Sequence, residues 1–349
     1  MPMPVGLLSL ATASPAHQLP QDEVADVARG LFADRFPQFE RMAPVFHTAG
    51  IRTRQAAMPM EWYLEPRGWP ERMEAYTRVG LDLFVRSARA ALDEAGISGA
   101  DIDIIVTVSS TGIATPSLEA RAMGQLGFRP DAARVPVFGV GCAGGATGLA
   151  IASRLAASQP GARVLLVCVE LCTLSFRMDD LSKADIVATA LFGDGAVACV
   201  LQAGAEGFAQ VVGRAEHTWP DTLDVMGWRI DPQGLGVIFA RAIPPFARQK
   251  LRPAMDSMLA TQDLSVETVN RFICHPGGMK VLEALEASLE LGQGSLDHER
   301  EVLAEHGNMS SPTVLYVLDR ARQAGLPPRS VVTALGPGFT ASTVTLQAA

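Results

Sequence analysis

The sequence predicts an α/β protein made of two analogous halves, residues 1–206 and 207–349. Apolar runs of strand length alternate with helical patterns in βαβ order, and that order partly recurs after Gly207. Gly and Pro are spread along the chain, and no polar linker separates the halves, so the two are expected to pack together. With 349 residues, 48 % of them hydrophobic and 19 % charged, the chain is long enough to bury a shared core.

The elements follow in order. Apolar positions at Val79, Leu83, Val85, Ala88, Ala91 and Leu92 have helical spacing and predict a long helix over Glu71–Gly96. The run Asp103–Val108 reads as a buried strand. A polar loop at Ser109–Pro116 follows it, then a helix to about Leu126 and a strand at Val135–Val140. Another helix and the strand Arg163–Val169 continue the pattern, and Gly193-Asp-Gly195 turns into the strand Ala196–Leu201. Beyond Gly207 come edge-type strands with a turn at Asp231–Gly234 and a helix over Pro245–Leu259. The short strand Phe272–Cys274 is followed by a helix to about Leu291 and another over Ser310–Ala324. The strands Ser330–Leu335 and Ala341–Leu346 close the chain.

Composition excludes several functions. No apolar run reaches the roughly 18 residues of a membrane helix, and Met1–Ser14 lacks the basic start of a signal peptide, which predicts a cytoplasmic protein without membrane insertion. A formal net charge of −8 without a basic run argues against nucleic acid as a partner. Five cysteines (Cys142, Cys168, Cys172, Cys199 and Cys274) are an odd number without CxxC spacing, so reduced thiols are expected and no metal site.

The sharpest local signal is Gly139-Val-Gly-Cys-Ala-Gly-Gly-Ala-Thr-Gly148, where a strand runs through a Gly-rich turn into a helical pattern. This places Cys142 at a helix N-terminus, where unpaired N–H groups favour the thiolate and the thiol pKa is expected to fall. The alternative for this segment is a buried structural cysteine. Ile273-Cys-His-Pro-Gly-Gly278 puts His275 at a strand end before a turn, and Gly307-Asn-Met-Ser-Ser-Pro-Thr313 puts Asn308 ahead of a helix start with Ser310 and Ser311 as cap candidates. Taken singly, His275 reads equally as a core histidine and Asn308 as a turn residue. Together the three supply a thiolate, a proton-bearing cation and an amide donor, a set sufficient for acyl transfer.

These segments, in this order, resemble the type III polyketide synthases, the chalcone and stilbene synthase family of the thiolase fold. The resemblance runs from about Val5 to the C-terminus. It rests on Cys142 in Gly-Cys-Ala-Gly-Gly, Ala190-Leu-Phe-Gly-Asp-Gly195, His275-Pro-Gly-Gly278, Gly307-Asn-Met-Ser-Ser311 and Gly336-Pro-Gly-Phe339. It implies a thiolase-like fold whose halves pack as one layered αβαβα unit. Cys142 is implied to carry the starter and the growing chain, with His275 and Asn308 assisting loading and decarboxylation of malonyl-coenzyme A. Acyl- and malonyl-coenzyme A are the implied substrates, with no further cofactor. Phe192 is implied to gate the cavity, and Ser310 is a further substrate-binding candidate. Arg41, Arg52, Gly277 and Gly278 are implied to meet coenzyme A, and a homodimer is implied in which a loop near Thr115 approaches the partner's cavity.

Departures from the plant pattern bear on the substrate. Val237 stands where chalcone synthases carry a second gating Phe, Cys172 and Ser175 replace two cavity threonines, Thr115 replaces a Met, and the late loop reads Ala334-Leu335 for Gly-Phe. Trp228 falls where plant enzymes have Gly, and Met226-Gly-Trp228 resembles the bacterial alkylpyrone and alkylresorcinol synthases. The expectation is therefore a medium- or long-chain fatty acyl starter. A single-round ketoacyl synthase shares the Cys-His-Asn set. A papain-like cysteine hydrolase shares its chain order, but no Cys-Gly-Ser-Cys-Trp signature surrounds Cys142.

Overall fold

A computed structural model describes residues 4–177, 182–240 and 242–349. The strands are β1 (Val5–Ala13), β2 (His17–Pro20), β3 (Thr53–Ala56), β4 (Ile104–Val108), β5 (Ala133–Val137), β6 (Arg163–Leu171), β7 (Asp194–Ala203), β8 (Ala209–Thr218), β9 (Met226–Asp231), β10 (Gly234–Phe239), β11 (Arg271–Cys274), β12 (Arg329–Gly336) and β13 (Thr340–Ala348). Nine of them form one mixed sheet in the order β11-β12-β13-β8-β1-β7-β6-β4-β5, while β9 and β10 make a separate hairpin and β2 pairs with β3. The two half-sheets meet at β1 and β8, joined by only three register pairs from Val5↔Val211 to Leu7↔Ala209.

The period of two along each strand explains the layers. Ile105, Leu165, Val167 and Val200 face the long outer helix Trp69–Ala95 through Leu83, Phe84 and Ala88. Their neighbours Val106, Leu166, Cys168 and Cys199 face inward onto the helices Gly144–Ser158 and Ser311–Gln323, which touch Ile273, Val332 and Val344 of the second half from the other side. Phe272, Val331 and Ala341 then face the opposite outer helices Ile243–Ala260 and Met279–Leu289. Helix, sheet, helix, sheet, helix is the expected five-layer order. Strands covered on both faces read as continuous apolar runs, which is why β4, β6 and β12 were visible in sequence.

Several boundaries differ from expectation. The strand expected over Val135–Val140 is Ala133–Val137, since Gly139 (φ 88°) turns the chain and Phe138 is exposed. β8, expected at an edge, is central between β13 and β1 despite its polar residues. The apolar N-terminal run is the central strand β1, which the sequence reading did not separate. A helix at Asp297–His306, with few apolar positions, was also not read.

Candidate active site

Cys142 lies in a tight turn, Gly141–Ala143, that opens the inner helix Gly144–Ser158. Gly141 has φ 46°, and a Cβ there would come within 2.8 Å of Pro337. A Cβ at Gly336 would lie 2.6 Å from the Ala143 backbone. The Gly-Pro-Gly segment thus packs directly on the nucleophile turn, and glycine permits that approach.

His275 follows β11, its N–H donating to the Thr333 carbonyl at 2.9 Å. It is buried, and neither ring nitrogen has a hydrogen-bond partner among the described residues. Asn308 precedes the inner helix Ser311–Gln323. Its Oδ1 accepts from the Ser310 N–H at 2.8 Å, which orients the amide and leaves the NH₂ as donor, with only a long 3.4 Å contact to the Gly277 carbonyl. Ser310 holds φ 57° and ψ −127°, a conformation a non-glycine residue rarely adopts, next to the amide that accepts from its N–H. The Cys142 Sγ stands 3.9 Å from the Asn308 Oδ1.

Two small cavities meet at Cys142. One is lined by Cys142, His275, Asn308, Gly277 and Leu335. The other is lined by Cys142, Cys172, Phe192, Trp228, Val237 and Ser310. Met226 and Phe239 of the hairpin border both. Of the residues singled out in sequence, the structure therefore gathers Phe192, Cys172, Val237, Trp228 and Ser310 on one side of the sulfur and His275, Asn308 and Gly277 on the other. Trp228 is fixed by its Nε1–H to the Ser110 carbonyl at 2.7 Å and meets Phe192 edge-on at 6.3 Å.

Other residues are placed differently. The Ser175 hydroxyl turns back to donate to the Cys172 carbonyl at 2.7 Å. Gly278 (φ 148°) starts the helix Met279–Leu289 beneath Leu191. Arg41 is exposed on the short helix Phe39–Met42. Arg52, 68 % exposed, lies 3.6 Å from Glu305, and both arginines sit on the surface outside the Cys142 cavities. Thr115 is exposed on the loop after β4.

The expected depression of the Cys142 pKa is not found. Burial pushes the thiol up to about 11, Glu170 adds to the rise, and hydrogen bonds with Ser310 and Asn308 only partly oppose it. Burial likewise pushes His275 down to about 3. Burial disfavours the charged form of both groups, an effect of packing that the sequence, which shows the helix N-terminus, does not reveal. A proton moved from sulfur to imidazole creates one charge of each sign, and burial opposes both.

Glu170 was missed. It is fully buried at the end of β6 and accepts from the Ser110 N–H (2.9 Å), the Thr111 hydroxyl (2.8 Å) and the Ser311 hydroxyl (2.9 Å). Burial raises it to about 7. An acid closing the apolar run of β6 was the signal that could have found it.

The five-layer arrangement, with a thiol at an inner helix start, places the molecule in the thiolase-like class. Family models described as chalcone and stilbene synthases, N-terminal domain, and chalcone and stilbene synthases, C-terminal domain, match residues 3–205 and 210–349. The chain belongs to the chalcone and stilbene synthase family and is a type III polyketide synthase, an acyltransferase-type enzyme. It is 39 % identical over 344 residues to a 1,3,6,8-tetrahydroxynaphthalene synthase of Streptomyces peucetius subsp. caesius, covering 96 % of this chain and 91 % of the relative. It is 36 % identical over 354 residues to a putative chalcone synthase of Bacillus subtilis, covering 95 % and 96 %. The solved 1,3,6,8-tetrahydroxynaphthalene synthase of Streptomyces coelicolor A3(2) superposes with a TM-score of 0.93 at 27 % identity, covering 98 % of this chain and 99 % of that one.

Proposed function

We propose that the enzyme loads a medium- or long-chain fatty acyl group from coenzyme A onto Cys142 and extends it with malonyl units, releasing an alkylpyrone or alkylresorcinol. The Cys142 thiol gives its proton to His275 as its sulfur attacks the acyl thioester, and His275 returns that proton to the departing sulfur, so that coenzyme A leaves as the thiol. Malonyl-coenzyme A then loses carbon dioxide, and the resulting enolate carbon attacks the acyl group on Cys142 and returns the thiolate. During decarboxylation negative charge grows on the malonyl thioester oxygen, which the His275 N–H and the Asn308 NH₂ are suited to meet. One such donor is typically worth two to three orders of magnitude in rate.

The observation that carries this reading is the shared lining of one cavity by Cys142, His275 and Asn308. There the imidazole nitrogens are unspent and the amide is oriented by the Ser310 N–H. The fatty starter is supported by the apolar second cavity with Cys172 and Val237 in its wall. Arg41 and Arg52 are the cations assigned to the coenzyme A phosphates, with Gly277 and Gly278 beside its arm. The working form is a homodimer in the cytoplasm in which Thr115 reaches the partner's cavity. Among the described residues no helix is long and apolar enough to cross a membrane.

The test is mass spectrometry of products from a panel of acyl-coenzyme A starters with malonyl-coenzyme A. The tetrahydroxynaphthalene synthase relatives favour a second reading, in which the product is a hydroxylated fused aromatic without an alkyl arm, assembled from malonyl units alone. A naphthalene product from malonyl-coenzyme A with no added starter, and no acyl-derived product, selects that reading.

A further inference from the structure

Behind Phe192 and Asn308 lies a charged group that neither the loading nor the extension step uses. Arg54, on β3, is fully buried. Its Nη1 donates to the Thr189 carbonyl at 2.6 Å and to the Phe192 carbonyl at 3.1 Å. These carbonyls belong to the C-terminal end of the helix Lys183–Leu191, which delivers Phe192 to the cavity. A helix leaves its last four carbonyls unpaired, and all are accounted for here. Ala188 accepts from the Phe192 N–H, Thr189 from Arg54, Ala190 from the Gln21 amide at 3.1 Å, and Leu191 from the Asn308 N–H at 2.8 Å. The Gly193 N–H then donates to the Asn308 carbonyl at 3.0 Å, so Phe192 and Asn308 are bridged as one short parallel ladder.

Asp194, two residues after Phe192 at the start of β7, ties down two neighbouring segments. It accepts from the Ala57 N–H (2.6 Å), the Thr173 N–H (2.8 Å) and the Thr173 hydroxyl (2.5 Å), and Thr173 directly follows Cys172. Burial lowers Arg54 to about 9 and raises Asp194 to about 7, while each one's charge supports the other. Packing is close: a Cβ at Gly193 would fall 3.2 Å from the Arg54 Cβ, and one at Gly307 3.5 Å from it. A buried guanidinium is costly, and an apolar residue of similar size is often the more stable choice for an interior site. The Arg54 Nε and Nη2 have no hydrogen-bond partner among the described residues, so its return is concentrated in the two carbonyls it holds.

We propose that Arg54, with Asp194 across from it, is a positioning residue that sets Phe192 and Asn308 relative to Cys142 and so serves malonyl decarboxylation and extension, not starter loading. The inference rests on the function proposed above, in which Asn308 meets the malonyl thioester. Loss of the two carbonyl bonds frees the Phe192–Asn308 ladder to shift. A displacement of the order of 1 Å costs about 100-fold in a step that needs alignment.

The experiment measures two rates in Arg54→Met, Arg54→Lys and Gln21→Leu: acylation of Cys142 by an acyl-coenzyme A, followed by intact mass, and carbon dioxide release from malonyl-coenzyme A. Arg54→Met is expected to slow decarboxylation about 100-fold and acylation less than about threefold. Arg54→Lys, which keeps one cationic donor, is expected to recover about tenfold of that loss. Gln21→Leu removes a cap from the same helix end without touching Phe192, and is expected to lower the Tm and leave the ratio of the two rates within about twofold. Equal losses in both rates, the same split in Gln21→Leu, or an unchanged ratio in Arg54→Lys would overturn the positioning role. If Arg54→Met does not fold, the other two variants still decide. A parent enzyme that releases no carbon dioxide from malonyl-coenzyme A sinks the functional reading and this role with it, whereas an active parent with unchanged Arg54 variants sinks this role alone.

Discussion

Trp228→Ala is expected to lengthen the preferred starter. The indole is half-buried in the wall of the second cavity, held by the Ser110 carbonyl and by Phe192. Removing it vacates space for roughly four methylenes, each worth about 0.8 kcal/mol on leaving water, or about 3 kcal/mol in all. If the acyl chain lies along this wall, kcat/KM for decanoyl- over hexanoyl-coenzyme A should rise by up to about 200-fold relative to the parent. The variant also loses packing at a half-buried site, so a stability cost of about 2 kcal/mol is expected, and it applies equally to both substrates. The assay is competition between the two starters with malonyl-coenzyme A, with products counted by mass. A ratio that moves less than threefold would show that the chain runs elsewhere, and the fatty-starter reading would lose its structural support.

Four further outcomes follow from the same geometry. Cys172→Phe should shift the preference to shorter starters while sparing butyryl loading, and no shift would mean this wall does not touch the chain. Cys142→Ala should abolish acylation, and iodoacetamide should label Cys142 ahead of the four other buried thiols; retained extension in the variant would remove it as nucleophile. Asn308→Ala should slow malonyl decarboxylation by two to three orders of magnitude with acylation retained, and the double variant with His275→Ala should be much less than multiplicative; fully multiplicative losses would mean that the two do not share one oxygen. Glu299 is raised to about 7 by burial, against Arg271 and the Cys274 N–H, so the native state holds a proton that the unfolded chain releases near pH 4.5. Its stabilisation is complete below that pH and is lost as pH rises through 7, by about 3 kcal/mol. Glu299→Gln should flatten the fall in urea midpoint between pH 5 and 7.5, and an unchanged slope would reject this assignment.

What the sequence shows and hides divides along physical lines. Cys142, His275 and Asn308 were legible because each stands where an element begins or ends beside glycines, a pattern local to the chain. The strands β4, β6 and β12 were legible because both faces are covered. The helix Asp297–His306 escaped because its inward positions include Glu299, so the apolar period is broken. Arg54 sits between Thr53 and Gln55, and nothing in those neighbours marks it as buried, since its burial comes from the distant segments Thr189–Gly193 and His306–Gly307. The titration of Cys142 could not be read for a similar reason: desolvation is a property of everything packed around the sulfur.

The position of β1 has a consequence for how the chain is made. Its first residue pairs with Ala203 on one side and Val211 on the other, so once made this strand has no partner until roughly two hundred residues more have appeared. At an elongation rate of about 5–20 residues per second, that wait is roughly 10–40 s. Meanwhile an apolar strand is exposed, and the contacts that close the sheet are among the most distant in sequence, which slows folding. Soluble yield should therefore respond to translation speed and chaperone supply more than to changes on the surface, and trimming the chain into Val5–Leu7 should loosen the β1–β8 pairing that joins the two half-sheets.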